Sequence, residues 1–266
     1  MVTIAIDTSQ PVGGVALARN GQVLGEVHFG PPSSHLVELP RAVERLLHEN
    51  NLTINDVGRV AVVLGPGSFT GVRIALSFAK GLAAAGKEVV AMDSLWLIAL
   101  RPFEEGYDSV CVMIDAKREE VYGVLLENTV TLRPPTGPPL REPTVSARVA
   151  SVQAFLDAVD EADRNRVFPD EQAIERAQGQ QLPMLFVGTG AIAYRDAILA
   201  RFPRAEVGDE SRAYPSVYRF AADACFDRAL PREVVRDLEP IYLRASGAER
   251  KRLRAHAPEK KPTGDD

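Results

Sequence analysis

The chain carries the same local pattern twice, 108 residues apart. In each copy an apolar strand ends in an aspartate, the chain reverses, and a second apolar strand follows. Asp7 ends the strand in the first copy, and Asp115 ends it in the second. Self-similarity at that spacing indicates duplicated lobes rather than a short-period repeat array. We predict a first lobe over residues 1–105, a second lobe over 106–246, and a charged, disordered tail over 247–266.

Between these copies the sequence predicts a parallel β-α-β unit. A short apolar strand leads into a glycine-rich turn, Gly65–Gly71, followed by a long helix and another strand. An amphipathic helix capped at Ser33 or Ser34 precedes the unit, and Pro40 predicts that its regular part starts or kinks there. The predicted first-lobe elements are strands Val2–Ile6, Gly14–Ala18, Val23–Val27, Val60–Leu64 and Val89–Met92, a helix over about Thr70–Ala85, and a short helix from Asp93-Ser94 toward Arg101.

The second lobe is predicted to contain an irregular insertion. A proline-rich surface loop covers Arg133 to Pro143, and a polar stretch follows from Glu161 to Gln181. The other predicted elements are strands Val112–Asp115, Glu120–Leu126 and Met184–Val187, helices Val149–Val159, Ala191–Arg201 and Tyr218–Leu230, and a short extended end at Pro240–Arg244.

Composition limits the possible function classes. With 45% hydrophobic and 25% charged residues, the 266-residue chain has the composition of a soluble globular protein. A net charge of −5 excludes an overall basic footprint for nucleic acid, so any RNA is expected to be held by a partner. Two cysteines cannot form a disulfide framework, and Cys111 is interpreted as a buried hydrophobe. Signal-peptide and membrane-span features are missing, so we expect a cytoplasmic protein with no membrane partner.

The glycine-rich turn is the sharpest candidate site. A glycine turn that enters a helix presents backbone N–H groups and the positive end of the helix dipole, which suits an anion. It is not a Walker A loop, and it misses the dinucleotide fingerprint because Thr70 stands where glycine is required. Two interpretations stay open, a phosphate contact through Gly65, Gly67 and Ser68, or a tight turn that lets helix and sheet pack closely.

A second candidate site follows the first strand. An acid with two hydroxyls at a strand end, Asp7, Thr8 and Ser9, is suited to a metal-phosphate group. The alternative is that these side chains only fix the geometry of the turn. Asp115 lacks such hydroxyl neighbours and is interpreted as structural. If the first interpretation holds, the two candidates form a vestigial site with weak affinity for ATP or ADP.

Two first-lobe helices are candidates for a protein interface. The helix from Thr70 carries a stripe of small residues and is apolar around most of its circumference, which favours burial on two sides. One side of this helix is expected to pack on its own sheet, and the other side is buried either within the same domain or against another subunit. On the subunit interpretation, the predicted interface residues are Leu36, Leu39, Val43, Leu46, Val72, Ala75, Leu76, Ala79 and Ala83.

Several motifs of the sequence are distinctive when they are taken together. They are Ile4–Ser9, Ser34-His35-Leu36, Gly65–Gly71 with Val72-Arg73-Ile74, Ala79–Ala83, Ile114–Ala116, Glu120–Tyr122 and Pro240–Arg244. This set of motifs resembles the TsaB (YeaZ) family. The glycine run is highly specific and the terminal motif moderately so; the resemblance covers nearly all of residues 1–126 and is patchy beyond.

This resemblance implies an α/β fold with two duplicated lobes of the actin-like ATPase type, as in sugar kinases, heat-shock chaperones and actin. It also implies a part in making threonylcarbamoyladenosine next to the anticodon of tRNA. The transfer itself is expected of a catalytic paralogue, TsaD, which pairs with this chain and is joined by a small ATPase, TsaE. Contact with tRNA is expected only through that complex, and a homodimer is expected when the chain is alone.

One departure from the catalytic paralogue fixes the predicted role. In the paralogue, two histidines four residues apart bind a metal, and that spacing puts both imidazoles on one helix face. Ser94 and Ile98 align with those positions, and no histidine occurs between His48 and His256. We therefore predict a non-catalytic subunit with no metal site and no required cofactor.

Three other functions remain as alternatives. The first is an ATP-dependent phosphotransferase of the same fold that uses Asp7–Ser9 and the glycine turn. A glycoprotease-like peptidase is disfavoured because the metal histidines are missing, and because Leu52 stands where the H-E-x-x-H motif beginning at His48 needs histidine. A dinucleotide binder with Asp93 on the ribose is disfavoured by Thr70.

Overall fold

The computed structural model describes residues 1–127, 143–165, 183–224 and 228–243. Across these ranges, ten strands form two five-stranded sheets with eight α-helices. The strands are β1 Val2–Asp7, β2 Gly13–Arg19, β3 Gln22–Phe29, β4 Val57–Val63, β5 Glu88–Met92, β6 Ser109–Asp115, β7 Glu120–Glu127, β8 Val145–Ser151, β9 Leu185–Val187 and β10 Glu206–Val207. The helices are α1 His35–Glu49, α2 Phe69–Ala84, α3 Ser94–Glu104, α4 Val152–Arg164, α5 Thr189–Ala193, α6 Arg195–Arg201, α7 Val217–Ala224 and α8 Arg232–Asp237.

The first sheet has the strand order β3-β2-β1-β4-β5. β1 pairs antiparallel with β2 and parallel with β4, and β4 pairs parallel with β5. The β4-α2-β5 connection is therefore the predicted parallel unit. Asn20 and Gly21, between β2 and β3, both have positive φ angles, 52° and 84°, which is the geometry of a two-residue hairpin turn and fits the preference of such turns for Asn-Gly.

The second sheet repeats the first. From one edge to the other its order is β8-β7-β6-β9-β10, with β6 antiparallel to β7 and parallel to β9. β6 thus occupies the position of β1, and each of these strands ends at the aspartate that marks the sequence repeat. The predicted fold class, two duplicated α/β lobes of the actin-like ATPase type, is confirmed.

Helices cover both faces of the first sheet. Ile4 and Ile6 of β1 pack in one core cluster with apolar residues of α1 and α2, including Leu39 and Ala75. Ala5, between the two isoleucines, packs in a separate cluster with residues of α7. Because successive strand side chains point to opposite faces, β1 sends large residues toward α1 and α2 and a small one toward α7.

The first half of the chain contributes one helix to the core of the second sheet, and the second half contributes two helices to the core of the first, α7 and α8, whose Val235 packs there. Leu95 and Ile98 of α3 pack with Val110 and Val112 of the second sheet, whereas α7 packs on the first sheet. The predicted boundary near residue 105 lies between the two sheets in the sequence, and the division into domains there stays a prediction. The core around each sheet is thus completed by a helix from the other half of the sequence.

Helix α1 begins at His35, five residues before Pro40, so the proline lies inside the helix rather than at its start. The predicted N-cap Ser34 stands at the N-cap position, but its hydroxyl donates to the Pro31 carbonyl at 2.8 Å rather than capping the helix. The carbonyl that Pro40 cannot hydrogen-bond belongs to Leu36, whose exposure lets water satisfy it. An early proline is therefore tolerated inside this helix.

Three predicted elements differ from the structure. The helix predicted over Val149–Val159 begins at Val152, because the preceding residues alternate as strand β8 and Ser151 caps the helix by accepting from Ala154 N. The helix predicted over Ala191–Arg201 is broken at Tyr194, whose φ and ψ are −115° and 26°.

The third difference concerns the helix predicted over Tyr218–Leu230. α7 is described to Ala224, and Leu230 itself is not helical; its backbone N–H instead donates to the Val89 carbonyl at 2.8 Å. Residues 128–142, 166–182, 225–227 and 244–266 lie outside the described residues, and with them most of the predicted insertion and the predicted charged tail. Within the described ranges, no helix is long and apolar enough to cross a membrane.

Candidate functional site

Asp7, Thr8 and Ser9 form a buried turn, here called the aspartate turn, at the end of β1. The three residues are 2%, 0% and 1% exposed. Asp7 Oδ1 accepts a hydrogen bond from the Ser9 backbone N–H at 2.7 Å. Thr8 Oγ1 donates to the Gly71 carbonyl oxygen at 2.6 Å. The turn thus uses its own polar groups to hold its geometry and to bind the glycine-rich segment.

The Gly65–Gly71 segment, here called the glycine loop, packs directly on the aspartate turn. A Cβ atom on Gly71 would lie 1.8 Å from the Thr8 carbonyl oxygen, and one on Gly67 would lie 2.2 Å from the Ser9 carbonyl oxygen. The Ser68 N–H donates to that Ser9 oxygen at 2.7 Å. The two predicted candidates are therefore adjacent, but groups expected to face a phosphate instead face each other.

Two further segments hold the glycine loop. Ser94, the first residue of α3, donates from its backbone N–H to Gly65 O at 2.8 Å and from its hydroxyl to Pro66 O at 2.6 Å. The Ile241 N–H donates to Leu64 O at 2.8 Å. These contacts favour the second sequence interpretation, in which glycine is needed for close packing.

The positions aligned with the paralogue's histidines are part of this packing. Ser94 is fully buried, and Ile98, one helical turn later, lies in the core between α3 and the second sheet. Among the described residues, no group of three or more His, Cys, Asp or Glu side chains is placed to hold a metal ion.

Two carboxyl groups beside the glycine loop are strongly perturbed. Burial raises the pKa of Asp7 to about 6, against the lowering effect of its hydrogen bonds from Ser9. Burial likewise raises the pKa of Asp93 to about 6, although Asp93 caps α3 by accepting from Leu95 N and Trp96 N. Since ionised carboxylates are costly to bury, both groups titrate close to neutral pH.

An open groove of about 520 Å³ runs between α1 and α2. Leu36 on its wall is 69% exposed, and Phe69 is 37% exposed. Its walls are mostly apolar, and Arg73 carries the one charge among them. The lining residues are Leu36, Leu39, Pro40, Phe69, Thr70, Arg73, Ile74, Ser77 and Phe78.

The structure shows which side chains of these two helices face outward. Leu36 is exposed and Ala83 is partly buried, so of the predicted interface residues these two reach the surface most. The others are buried in the chain's own first-lobe packing, and the small-residue stripe fits α2 onto its own sheet. These buried residues are Leu39, Val43, Leu46, Val72, Ala75, Leu76 and Ala79.

Sequence reasoning missed the outer face of α2. Phe69, Arg73 and Ser77 are spaced by four residues, as are Thr70, Ile74 and Phe78. That spacing was the available signal, because residues four apart share a helix face. The small-residue stripe of the same helix also recurs every four residues, so the spacing alone does not show which stripe faces outward.

The C-terminal segment Ile241–Leu243 borders this groove. The ring of Tyr242 stacks on that of Phe69, with centroids 4.9 Å apart and planes 25° apart. Arg73 Nε donates to the Tyr242 hydroxyl at 2.9 Å, and the guanidinium carbon lies 3.9 Å from the centre of the Phe69 ring. Two groove-lining side chains are thus held by a residue from the other end of the chain.

In the second lobe, the aspartate of the repeat has a different environment. Asp115 accepts from the backbone N–H of Lys117 at 2.8 Å and pairs with its ammonium group at 2.6 Å. The Asp115 N–H donates to Thr189 Oγ1 at 3.0 Å. These contacts fit the structural role predicted for Asp115.

Comparison with known proteins gives one family match over most of the chain. The family model described as TsaD, tRNA N6-adenosine threonylcarbamoyltransferase, matches residues 32–251.

Curated relatives match over shorter regions. The tRNA threonylcarbamoyladenosine biosynthesis protein TsaB of Bacillus subtilis (strain 168) is 35% identical over 125 residues, covering 46% of this chain and 53% of that protein. A tRNA N6-adenosine threonylcarbamoyltransferase of Maridesulfovibrio salexigens is 36% identical over 112 residues, covering 36% of this chain and 32% of that protein. The chain thus spans about half the length of the TsaB relatives it matches.

Solved structures match over nearly the whole fold. YeaZ from Pseudomonas aeruginosa has a TM-score of 0.61 and 25% identity, covering 91% of this chain and 99% of that one. A protein described as similar to peptidase YEAZ, also from Pseudomonas aeruginosa, has a TM-score of 0.65 at the same identity and coverage. These matches confirm the resemblance to TsaB (YeaZ) predicted from the sequence.

Proposed function

Because this chain belongs to the tRNA N6-adenosine threonylcarbamoyltransferase (TsaD) family, we propose that it is a non-catalytic subunit for the biosynthesis of threonylcarbamoyladenosine in tRNA. It works by docking on a catalytic member of the same family and stabilising that partner's active conformation. A role on tRNA implies that it acts in the cytoplasm.

The α1–α2 groove is the observation that carries this proposal. It is an open, mostly apolar surface, and exposed apolar surfaces rimmed by polar groups mark interaction sites. Leu36 and Phe69 supply apolar contact area, while Arg73 and Thr70 supply polar contacts at the same face. That mixture of aromatic, aliphatic and arginine side chains is typical of the centre of a protein interface.

The occupant that we propose is the matching helix pair of a TsaD-type protein. A partner of the same family has a homologous first lobe, so it can present a helix pair of the same shape. Two such pairs pack as a bundle by fitting side-chain ridges into grooves. The same surface on a second copy of this chain would form an isologous homodimer, which then competes with the heteromeric complex.

A non-catalytic role is supported by the contacts of the two segments that were candidates for holding a phosphate. The aspartate turn and the glycine loop satisfy each other's polar groups through Thr8, Ser9 and Ser68. Ser94 and Ile98 serve the packing of α3 rather than a metal. An ATP-dependent phosphotransferase, the main alternative from the sequence, would have to open this packing to admit a phosphate. We propose that the chain requires no cofactor and that tRNA and an ATPase of the TsaE type meet it through the complex.

Reconstitution of tRNA modification tests the proposal. The TsaD-type protein of the same organism is assayed for threonylcarbamoyladenosine formation with this chain, without it, and with Leu36→Asp, with TsaE and the threonylcarbamoyl donor supplied throughout. We expect modification with the wild-type chain, and none with Leu36→Asp, with the TsaD-type protein alone, or with this chain without its partner. Ile54→Asp, which changes an exposed aliphatic residue outside the groove, is the matched control and retains activity. Modification by the isolated chain would overturn the non-catalytic role.

A further inference from the structure

The side chain of Tyr242 contacts two residues that line the groove, Phe69 and Arg73. Its ring stacks on Phe69, and its hydroxyl accepts from Arg73 Nε. Arg73 in turn lies over the Phe69 ring. The three side chains therefore form one cluster, here called the aromatic-arginine cluster, at the end of the groove where α2 begins.

The segment does not need Tyr242 to stay in place. Ile241 anchors it by donating a backbone hydrogen bond to Leu64 O, and its side chain packs against the first-lobe core together with Leu238. Tyr242 itself remains 41% exposed. Anchoring of the segment and ordering of the groove are thus assigned to neighbouring but different residues.

Ordering matters because a docking surface loses side-chain freedom when a partner binds. A long, exposed arginine and an exposed phenylalanine each sample several rotamers unless something fixes them, and that freedom is lost on association. Contacts made within the free chain remove part of this loss in advance. The free chain then binds more tightly without any added contact to the partner.

We propose that Tyr242 is a positioning residue of the docking surface, which holds Phe69 and Arg73 in the arrangement that receives the helix pair of the TsaD-type partner. This inference rests on the proposed function, because it takes the groove as the docking site. Tyr242 acts through the other two members of the cluster, whose side chains line the groove.

The test compares three variants of the full chain in titration calorimetry and stopped-flow binding with the TsaD-type protein. Tyr242→Ala removes the stack and the hydroxyl, and we expect binding to weaken about tenfold, mostly through faster dissociation. Tyr242→Phe keeps the stack and loses only the hydrogen bond, so we expect a loss of about threefold. Tyr218→Ala is the matched control, since Tyr218 is also about half exposed but lies on α7 outside the groove.

A background without the two groove residues separates positioning from general destabilisation. In the double variant Phe69→Ala, Arg73→Ala, adding Tyr242→Ala should weaken binding no further, because Tyr242 has nothing left to position. A further loss equal to that in the wild-type background would overturn the inference, as would unchanged binding of Tyr242→Ala. If Leu36→Asp binds the partner normally, the proposed docking site fails instead. The inference alone fails if Leu36→Asp abolishes binding while Tyr242→Ala does not weaken it.

Discussion

Thr8 and Gly71 lie 63 residues apart in the chain and share a hydrogen bond of 2.6 Å from the threonine hydroxyl to the glycine carbonyl. The carbonyl oxygen of Thr8 also occupies the space that a side chain on residue 71 would need. This contact fastens the end of β1 to the start of α2. It gives Gly71 a packing role that needs no bound ligand.

Gly71→Ala is expected to be strongly destabilising. Its Cβ would lie 1.8 Å from the Thr8 backbone oxygen, and backbone cannot move aside as a flexible side chain can. We expect unfolding free energy to fall by about 3 kcal/mol, measured by urea denaturation.

Gly81→Ala provides the matched control on the same helix. No atom lies within 4 Å of a Cβ at Gly81, so alanine is accommodated and improves helix propensity. We expect a gain of about 0.5–1 kcal/mol. Similar losses at both glycines would contradict the close contact at Gly71.

The buried carboxyl group of Asp7 is expected to make the stability of the fold depend on pH. Its folded-state pKa of about 6 lies above the ordinary value of 3.8, so the folded state holds its proton more tightly than the unfolded state. The stabilisation is fully present below about pH 4 and is lost as the pH rises through 6, with a total of ~3 kcal/mol. Asp7→Asn keeps an acceptor for the Ser9 N–H and removes the titration.

Denaturation curves from pH 4 to 8 measure that effect as the difference between wild type and variant. Asp7→Asn should gain stability relative to wild type as the pH rises and then level off above pH 7. The raised pKa of Asp93 contributes in the same direction to both proteins, so it cancels in the difference. A difference that is independent of pH would contradict the assignment to Asp7.

Glu119 is expected to be a site of backbone strain. Lys117, Arg118 and Glu119 have successive φ angles of 62°, 60° and 59°, in the left-handed region that disfavours side chains. Glu119→Gly should therefore stabilise the protein by about 1 kcal/mol in thermal or urea unfolding. Glu119→Ala removes the same carboxylate but keeps a Cβ, and an equal gain there would point to charge rather than strain.

Without its partner, this chain is expected to bind Mg-ATP weakly or not at all. The Ser68 N–H and the Thr8 hydroxyl, which a phosphate would need, already have partners at 2.7 and 2.6 Å. Calorimetry should give no dissociation constant below about 1 mM, equivalent to a binding energy weaker than about 4 kcal/mol. A low-micromolar value would instead favour the phosphotransferase alternative.

The fold was largely predictable from local sequence because strand periodicity, the Asn20-Gly21 turn and the β-α-β unit are local signals. The repeat around Asp7 and Asp115 correctly predicted duplicated lobes, and the structure shows them as two sheets of the same topology. The exchange of α3 and α7 between lobes was not predictable, because which sheet covers a helix depends on long-range packing. The break in the helix at Tyr194 was not predictable either, because the sequence on both sides of Tyr194 forms helix and no local signal marks the break.

The location of the candidate site was easier to predict from the sequence than whether the site binds a ligand. The sequence offered Asp7–Ser9 and Gly65–Gly71 as one candidate site but left open whether they hold a phosphate or only fix the turns and their packing. Most of the interface residues that it offered on α1 and α2 are buried in the first lobe, because apolar residues cover most of α2 and the sequence does not show which of them pack on the chain's own sheet. The contact of Tyr242 with Phe69 and Arg73 joins residues about 170 positions apart, and no local pattern predicts such a pairing.

Light scattering after size-exclusion chromatography tests the central claim most directly, with the chain and the TsaD-type protein of the same organism measured alone and mixed. We predict a defined heteromeric peak with wild type and with Ile54→Asp, and separate peaks with Leu36→Asp, whose buried charge would oppose docking in the groove. If no mixed peak forms with both proteins at about 10 μM, which is ten times a micromolar dissociation constant, and with TsaE and nucleotide present, the account is contradicted. A mixed peak that survives Leu36→Asp would place the docking surface elsewhere.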